Sequence, residues 1–281
     1  MWAVLGGSGF EKFDSFELIE EIEVITPFGK PSAPIAKAKI GETTVLFLSR
    51  HGKKHEFTPS NINYRANIFA LKQNGATKIL SVSAVGSLQK ELKPGDCVIP
   101  TQYIDRTKTL RGHTFCIDGA VGHVSLAHPV DLELVKQAKE LLKVGNFTLH
   151  FDKTYICMEG PAFSTKAESK MYRAWGADII GMTNFPEYAL AREAGMCYLP
   201  LSFVTDYDSW NDSIDHVTLE QVLEIMRNNN HKAFSLMQQL IPQTNELHPQ
   251  GCPLQGLQTG LMTPIDSLTP EVQTWMNVIC K

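Results

Sequence analysis

Short apolar runs rich in β-branched residues alternate along the chain with longer stretches whose apolar positions recur every three to four residues. The short runs predict strands at WAVLG near the start, TTVLFLS before Arg50, KILSVSA before Gly86, DCVIP from Asp96, KTYICME before Gly160, ADIIGMT before Asn184 and CYLPLSFVTD before Tyr207. The longer stretches predict helices over Asn61–Asn74, Leu132–Leu142, Thr165–Trp175, Glu187–Ala194 and Thr218–Gln239. Asp131 and Ser164 stand where N-caps are wanted, and Pro186 suits a first helical turn. This alternation is the signature of an α/β layer fold with a mostly parallel sheet. No internal repeat or interior linker interrupts it, which predicts a single domain over 1–281. Within that domain, 242–266 gathers proline, glycine and glutamine without a period and predicts an irregular, exposed excursion. Residues 267–281 predict a C-terminal helical tail with Pro270 in its first turn.

Composition narrows the class. With 281 residues and 43% apolar content the chain can bury a core of its own. Its 26 basic and 30 acidic residues are interspersed, for a net charge of -4, which offers no basic stripe for nucleic acid. The opening MWAVLGGSGF lacks the charged flank and apolar length of a leader, and no stretch approaches a membrane span. The expectation is a cytoplasmic protein starting near Met1. Six cysteines (Cys97, Cys116, Cys157, Cys197, Cys252 and Cys280) show no CxxC pair, so neither a zinc site nor a disulfide framework is expected. They are expected to be reduced thiols filling apolar space.

The chemistry-bearing residues gather at strand ends. Gly6-Gly7-Ser8-Gly9 follows the first strand, where backbone N–H groups and a hydroxyl can cradle an anion. It lacks the third glycine of a dinucleotide fingerprint and the Gly-Lys-Ser/Thr of a Walker loop. Arg50-His51 ends the next strand and could clamp a phosphate through bidentate hydrogen bonds. His51 and His55 form an HxxxH spacing, but Gly52 stands where a zincin needs glutamate, so no metal is expected. Ser83 and Ala84 lie in SVSAVGS, Phe163 and Ser164 in MEGPAFS, and Met182 and Thr183 in GMTNFPE, each at a strand end. Ligands of open α/β sheets bind beyond strand carboxyl ends, so these motifs can converge on one site. Asp206 and Asp208 alternate in TDYDSW and share a face if the extended period persists. Two such carboxylates could serve as acid and acceptor, hold a metal, or in part cap the following helix.

Taken together, GGSGF, TPFGKPS, SRHGKKH, NYRANI, SAVGSL, EGPAFSTKAES, GMTNFPE, AREAG and TDYDSW resemble the purine nucleoside phosphorylase family, in its 5′-methylthioadenosine phosphorylase branch, from about Trp2 to Pro242. The resemblance implies one α/β domain with a mixed central sheet partly closed into a barrel and flanked by helices. It implies a cytoplasmic homotrimer of purine and methionine salvage that needs no cofactor and uses inorganic phosphate as co-substrate. It further implies phosphate contacts at Ser8, Arg50, His51, Ser83, Ala84 and Thr183, with Met182 against the ribose and Phe163 and Ser164 lining the substrate. Asp206 and Asp208 match the catalytic pair that meets N7 and the exocyclic amine of adenine. Leu219, Val222 and Leu223 match apolar positions around the methylthio group, and His123 one supplied by a neighbouring subunit. The implied reaction is phosphorolysis of 5′-methylthioadenosine to adenine and 5-methylthioribose 1-phosphate. The alternatives are a broader purine nucleoside phosphorylase, a nucleosidase that uses water, and a non-catalytic nucleoside-binding protein. Two departures carry expectations of their own: Ala162 stands where an arginine usually braces the loop, and the tail beyond Pro242 departs from the pattern.

Overall fold

The computed structural model of the chain describes residues 1–7, 16–211 and 219–281, with side chains left aside over 219–223. Nine strands form one sheet: β1 (Trp2–Gly6), β2 (Glu17–Ile22), β3 (Ile35–Ile40), β4 (Thr43–Ser49), β5 (Lys78–Ser87), β6 (Cys97–Arg106), β7 (Leu149–Met158), β8 (Ile179–Gly181) and β9 (Cys197–Tyr207). Their order is β2-β3-β4-β1-β5-β8-β7-β6-β9, and β5 also pairs with β9. That last pairing closes β5, β8, β7, β6 and β9 into a five-stranded barrel, with the other four strands extending the sheet from β5. Strands β4, β1, β5 and β9 run parallel, whereas β2, β3 and β4 pair antiparallel, as do β5 with β8 and β6 with β9. The sheet is therefore mixed, as the family resemblance implies, and less uniformly parallel than the strand and helix alternation predicts.

Helices α1 (Tyr64–Gln73), α2 (Leu132–Leu141), α3 (Lys166–Ala174), α4 (Asn184–Glu193), α5 (Leu219–Gln243), α6 (Leu257–Gly260) and α7 (Pro270–Ile279) flank it. The predicted Asp131 cap holds: its carboxylate accepts the Leu134 N–H at 2.9 Å. The predicted Ser164 cap moves one residue on, because Thr165 and Glu168 form a reciprocal capping box. The predicted helix start at Thr218 lies outside the described residues.

Strands β2 and β3 were not legible in the periodicity. Strand β2, ELIEEI, is an edge strand exposed along most of its length, so no apolar face marks it. The excursion also differs from expectation. Thr244, Cys252 and Leu257 are buried, and α6 and a short 3₁₀ turn at Ile265–Ser267 give it regular pieces. A segment without hydrophobic period can still be anchored by single buried side chains, which local pattern does not reveal.

One close approach shapes the barrel end. A Cβ added to Gly181, the last residue of β8, would overlap the hydroxyl of Tyr155, which is fully buried on the neighbouring strand β7. Gly181→Ala is expected to destabilise the fold by about 1–3 kcal/mol through overpacking, read as a lower urea midpoint at unchanged slope. An unaltered midpoint would show that Tyr155 is not confined there.

Candidate active site

A cavity of about 320 Å³ opens where the strands end. Its wall takes Gly7 from beyond β1, Arg50 and His51 from beyond β4, and Ser83, Ala84, Val85 and Gly86 from the end of β5. Met158 comes from the end of β7, Gly181, Met182 and Thr183 from the end of β8, and Thr205 and Asp206 from the end of β9, with Asp208 just beyond. The predicted convergence of strand-end motifs is realised.

The backbone explains why β5 and β9 can both face the cavity. Their register shifts at Val85/Gly86, where Gly86 pairs with Asp206 rather than Thr205. Neighbouring residues of a regular strand point to opposite faces, but a bulge re-aims them, so Thr205 and Asp206 both line the cavity. Gly86 is needed opposite: a Cβ there would sit 3.3 Å from Asp206 Oδ1 and 3.1 Å from Ile180.

One end of the cavity is rich in donors. Arg50 is completely buried, but its fork is already engaged: Nε donates to Glu187 Oε2 at 2.6 Å and Nη2 to Glu187 Oε1 at 2.9 Å. Nη2 also donates to Ser81 Oγ at 2.8 Å, and Nη1 to the Val82 carbonyl at 2.9 Å. The bidentate phosphate clamp expected from sequence is thus a bidentate clamp on Glu187. Arg50 and Gly7 both line the cavity, and Nη1 lies so near Gly7 that a Cβ added there would be 2.9 Å away. Burial disfavours the guanidinium charge, but attraction and hydrogen bonding to Glu187 outweigh it and hold the pKa above the ordinary arginine value. Glu187 also accepts from the hydroxyls of Ser81 at 2.5 Å and Tyr198 at 2.8 Å.

His51 lies 2.8 Å through Nδ1 from the Phe57 carbonyl, which can only accept, so Nδ1 carries the hydrogen. The His55 ring stacks on it at 4.4 Å and also lines the cavity, a placement the HxxxH spacing did not suggest. Ser83 and Thr183 are buried hydroxyls; Thr183 stands at the start of α4 yet makes no capping hydrogen bond with its side chain.

The opposite end is acidic. Burial raises the Asp206 carboxyl above the ordinary aspartate range, partly opposed by the Thr205 hydroxyl 2.7 Å from Oδ2, and the charge of Asp208 pushes it further up. Burial also raises Asp208, whose Oδ2 is buried without a hydrogen-bond partner among the described residues. Phe163 projects from the rim, 80% exposed, rather than packing in the core.

Other predicted residues fall elsewhere. Ser164 is buried behind the wall, its hydroxyl 3.6 Å from Met158 Sδ. His123 is exposed and away from this chain's cavity, in a segment where its N–H meets the Gly260 carbonyl at 2.9 Å. Ser8 lies outside the described residues, as do the side chains of Leu219, Val222 and Leu223.

Sequence reading missed Glu187 as Arg50's partner and Arg111 altogether. The buried Arg111 donates to the carbonyls of Met182 at 2.6 Å, Phe185 at 3.0 Å and Glu159 at 2.8 Å. It thereby ties Glu159, just beyond β7, to the start of α4. Glu159 beneath it is desolvated, yet hydrogen bonds from Ser60, Lys108 and Thr109 hold it down at about 2. No signal in the run RGH distinguishes Arg111, because its partners are backbone carbonyls remote in sequence.

Comparison with known proteins decides the family. The model of the phosphorylase superfamily matches residues 2–242. The chain belongs to that superfamily. It is 43% identical over 279 residues to the S-methyl-5′-thioadenosine phosphorylase of Thermosynechococcus vestitus, covering 98% of this chain and 96% of that one. It is 47% identical over 249 residues to the enzyme of that name from Pyrococcus furiosus, covering 89% and 95%. Among solved structures, a methylthioadenosine phosphorylase from an antarctic soil metagenomic library superposes with a TM-score of 0.91 at 41% identity, covering 99% of this chain and 98% of that chain. A variant of the adenosine/methylthioadenosine phosphorylase of Schistosoma mansoni, in complex with methylthioadenosine, gives 0.79 at 34% identity, covering 87% and 92%. The superfamily model stops at 242, yet the first relative and the antarctic structure span nearly the whole chain. The tail that departed from the family pattern therefore has counterparts within the superfamily.

Proposed function

We propose that this chain cleaves 5′-methylthioadenosine with inorganic phosphate to adenine and 5-methylthioribose 1-phosphate. The observation that carries the reading is one cavity holding donors at one end (Arg50, His51, Ser83, Thr183) and two aspartates at the other whose pKa values burial raises. A phosphate at the donor end attacks C1′ as the N-glycosidic bond breaks, and its charge stabilises the oxocarbenium-like sugar. The electron pair of that bond leaves on the purine. Asp206, whose pKa burial and the charge of Asp208 raise, delivers or shares a proton at N7 as charge builds on the purine. The unpartnered Oδ2 of Asp208 accepts from the 6-amino group, which a 6-oxopurine could not supply. The backbone N–H of Ala84 and the hydroxyl of Ser8 complete the phosphate site, and Met182 lies against the ribose.

Leu219, Val222 and Leu223 border the methylthio group, and Phe163 covers the base. In a homotrimer, His123 and the tail of one subunit would complete the site of the next, which accords with their place outside this chain's own cavity. The reaction balances with phosphate as co-substrate and requires no cofactor or metal. A cytoplasmic setting is proposed with it; no helix of the described residues is long and apolar enough to cross a membrane.

The test is a panel of methylthioadenosine, adenosine, inosine and methylthioinosine, with and without phosphate. Adenine release from methylthioadenosine is expected to require phosphate and to show the highest kcat/KM. Equal turnover in phosphate-free buffer would make the protein a hydrolase, and a much higher kcat/KM for inosine would overturn the aminopurine assignment.

A further inference from the structure

At the far end of β9 from the cavity, a second group of side chains converges. Cys197 begins β9, nine residues before Asp206 and so on the order of 30 Å away at about 3.3 Å per residue. Asp131, Cys197 and Cys252 are all buried, and their ligand atoms lie within 4.8 Å of one another. Cys252 Sγ is 3.8 Å from Asp131 Oδ2, and His248 Nε2 is 3.7 Å from Asp131 Oδ1. Metal bonds of 2.0–2.3 Å in a tetrahedron separate ligand atoms by roughly 3.3–3.8 Å. The atoms of Asp131, Cys197 and Cys252 come within about 1 Å of that spacing, with His248 standing just outside their group beside Asp131.

We propose that Asp131, Cys197 and Cys252, with His248 in the fourth position, form a structural site for a thiophilic divalent cation such as zinc. Asp131, His248 and Cys252 are each held by something other than the metal. Asp131 caps α2 through Oδ1, which accepts the Leu134 N–H at 2.9 Å, and this turns Oδ2 toward Cys252. His248 has a left-handed backbone, φ 50°, rare for a residue with a side chain, and its Nε2 is buried without a hydrogen bond. The turn before it is fixed by Lys78 Nζ, which donates to the carbonyls of Asn245 at 2.8 Å and Leu247 at 2.5 Å. Arg192 Nη1 donates to Cys252 Sγ at 3.1 Å, as an outer-shell partner does to a metal-bound thiolate.

The charges close. Two thiolates and a carboxylate around a dication leave one negative charge, which the adjacent Arg192 neutralises. Binding sends the two thiol protons to solvent and takes histidine as the neutral ring. Soft thiolates with imidazole and carboxylate favour zinc over magnesium or calcium. Entry is open, because Cys252 also lines a 190 Å³ cavity with Gly195, Gln250 and Gln255. Occupied, the site ties the cap of α2, the start of β9 and the segment after α5 to one point. The proposal assigns Cys197 and Cys252 a role beyond apolar filler, and their 55-residue separation matches no spacing motif.

The experiment uses the full chain, reduced and stripped with a chelator, then given zinc alone and passed over a desalting column. One zinc per chain is expected by mass spectrometry, with Cys197 and Cys252 reacting at least tenfold more slowly with a thiol reagent in the zinc-loaded chain than in the stripped chain, and the buried Cys97 and Cys157 unchanged. Cobalt in its place is expected to give thiolate-to-metal absorption and the intense visible bands of a tetrahedral site. Cys252→Ser and His248→Ala are expected to lower zinc affinity by tenfold or more, while Cys280→Ser leaves it unchanged. Should the Cys252 variant fail to fold, thiol shielding and the cobalt spectrum of the unaltered chain still decide. No retained zinc by the reduced chain, cobalt bands without thiolate absorption, or equal thiol reactivity of Cys197 and Cys252 with and without zinc would each overturn the proposal. Phosphorolysis is not the readout, so failure here leaves the proposed function standing.

Discussion

Replacing Asp206 with asparagine is expected to lower kcat on methylthioadenosine by about 100-fold or more, the usual contribution of a positioned general acid. KM should change far less, because an amide can still hydrogen-bond the purine. The pH dependence separates acid catalysis from simple binding. Burial raises the Asp206 pKa above its unfolded value, so the carboxyl keeps its proton further into the neutral range than an exposed aspartate. Turnover of the unaltered chain should fall as pH rises through that raised pKa, and the variant should lose this limb of the profile.

The same shift has an opposite consequence for stability. Between the unfolded and folded pKa values the folded state binds more protons, so stability is fully present below the unfolded value and is lost as pH rises through the folded one. Asp206→Asn removes that loss and is expected to raise Tm at neutral pH while disabling catalysis. A variant that retains turnover within a few-fold, or one whose Tm falls at neutral pH, would remove Asp206 from the role of buried acid.

The largest effect on stability is expected at Arg50 and Glu187. Both side chains are essentially inaccessible to water and face each other through two hydrogen bonds. Glu187→Gln keeps the shape but leaves a guanidinium buried without its countercharge, a loss of about 3–5 kcal/mol. Ser81 and Tyr198 would lose a charged acceptor as well. The double variant Arg50→Met with Glu187→Gln should recover a large part of the loss, since no unpaired charge remains. It should not recover phosphorolysis, because the guanidinium at the cavity wall is gone. Urea denaturation of the two single variants and the double measures the coupling. A Glu187→Gln loss below about 1 kcal/mol would mean that water reaches the pair.

Glu187 also shows why part of the site was not legible. Its segment, GMTNFPE, was recognisable as a strand end entering a helix, and Thr183 and Met182 do reach the cavity from it. The role of Glu187 depends on a partner 137 positions away in the chain, which no local spacing encodes. Arg111 is the same case with backbone carbonyls as partners. His55 was noticed for the wrong chemistry: HxxxH suggested, and then argued against, a metal, whereas the turn places its ring against His51.

The sequence by itself determined seven of the nine described strands and six of the seven described helices, because period and punctuation are local properties read within one element. It also determined that small, hydroxyl-bearing and acidic residues stand at strand ends, and that Asp206 and Asp208 alternate on one extended segment. Tertiary structure alone decided the rest. The β5–β9 pairing closes the barrel, and its bulge turns Thr205 and Asp206 to the same side. Burial then raises the pKa of Asp206, the Glu187 carboxylate takes the fork of Arg50, and Cys252 is brought from the segment after α5 to Cys197. The physical reason is common to all of these: charge state, register and metal geometry depend on distances between residues far apart in the chain, and those distances exist only once the chain has folded.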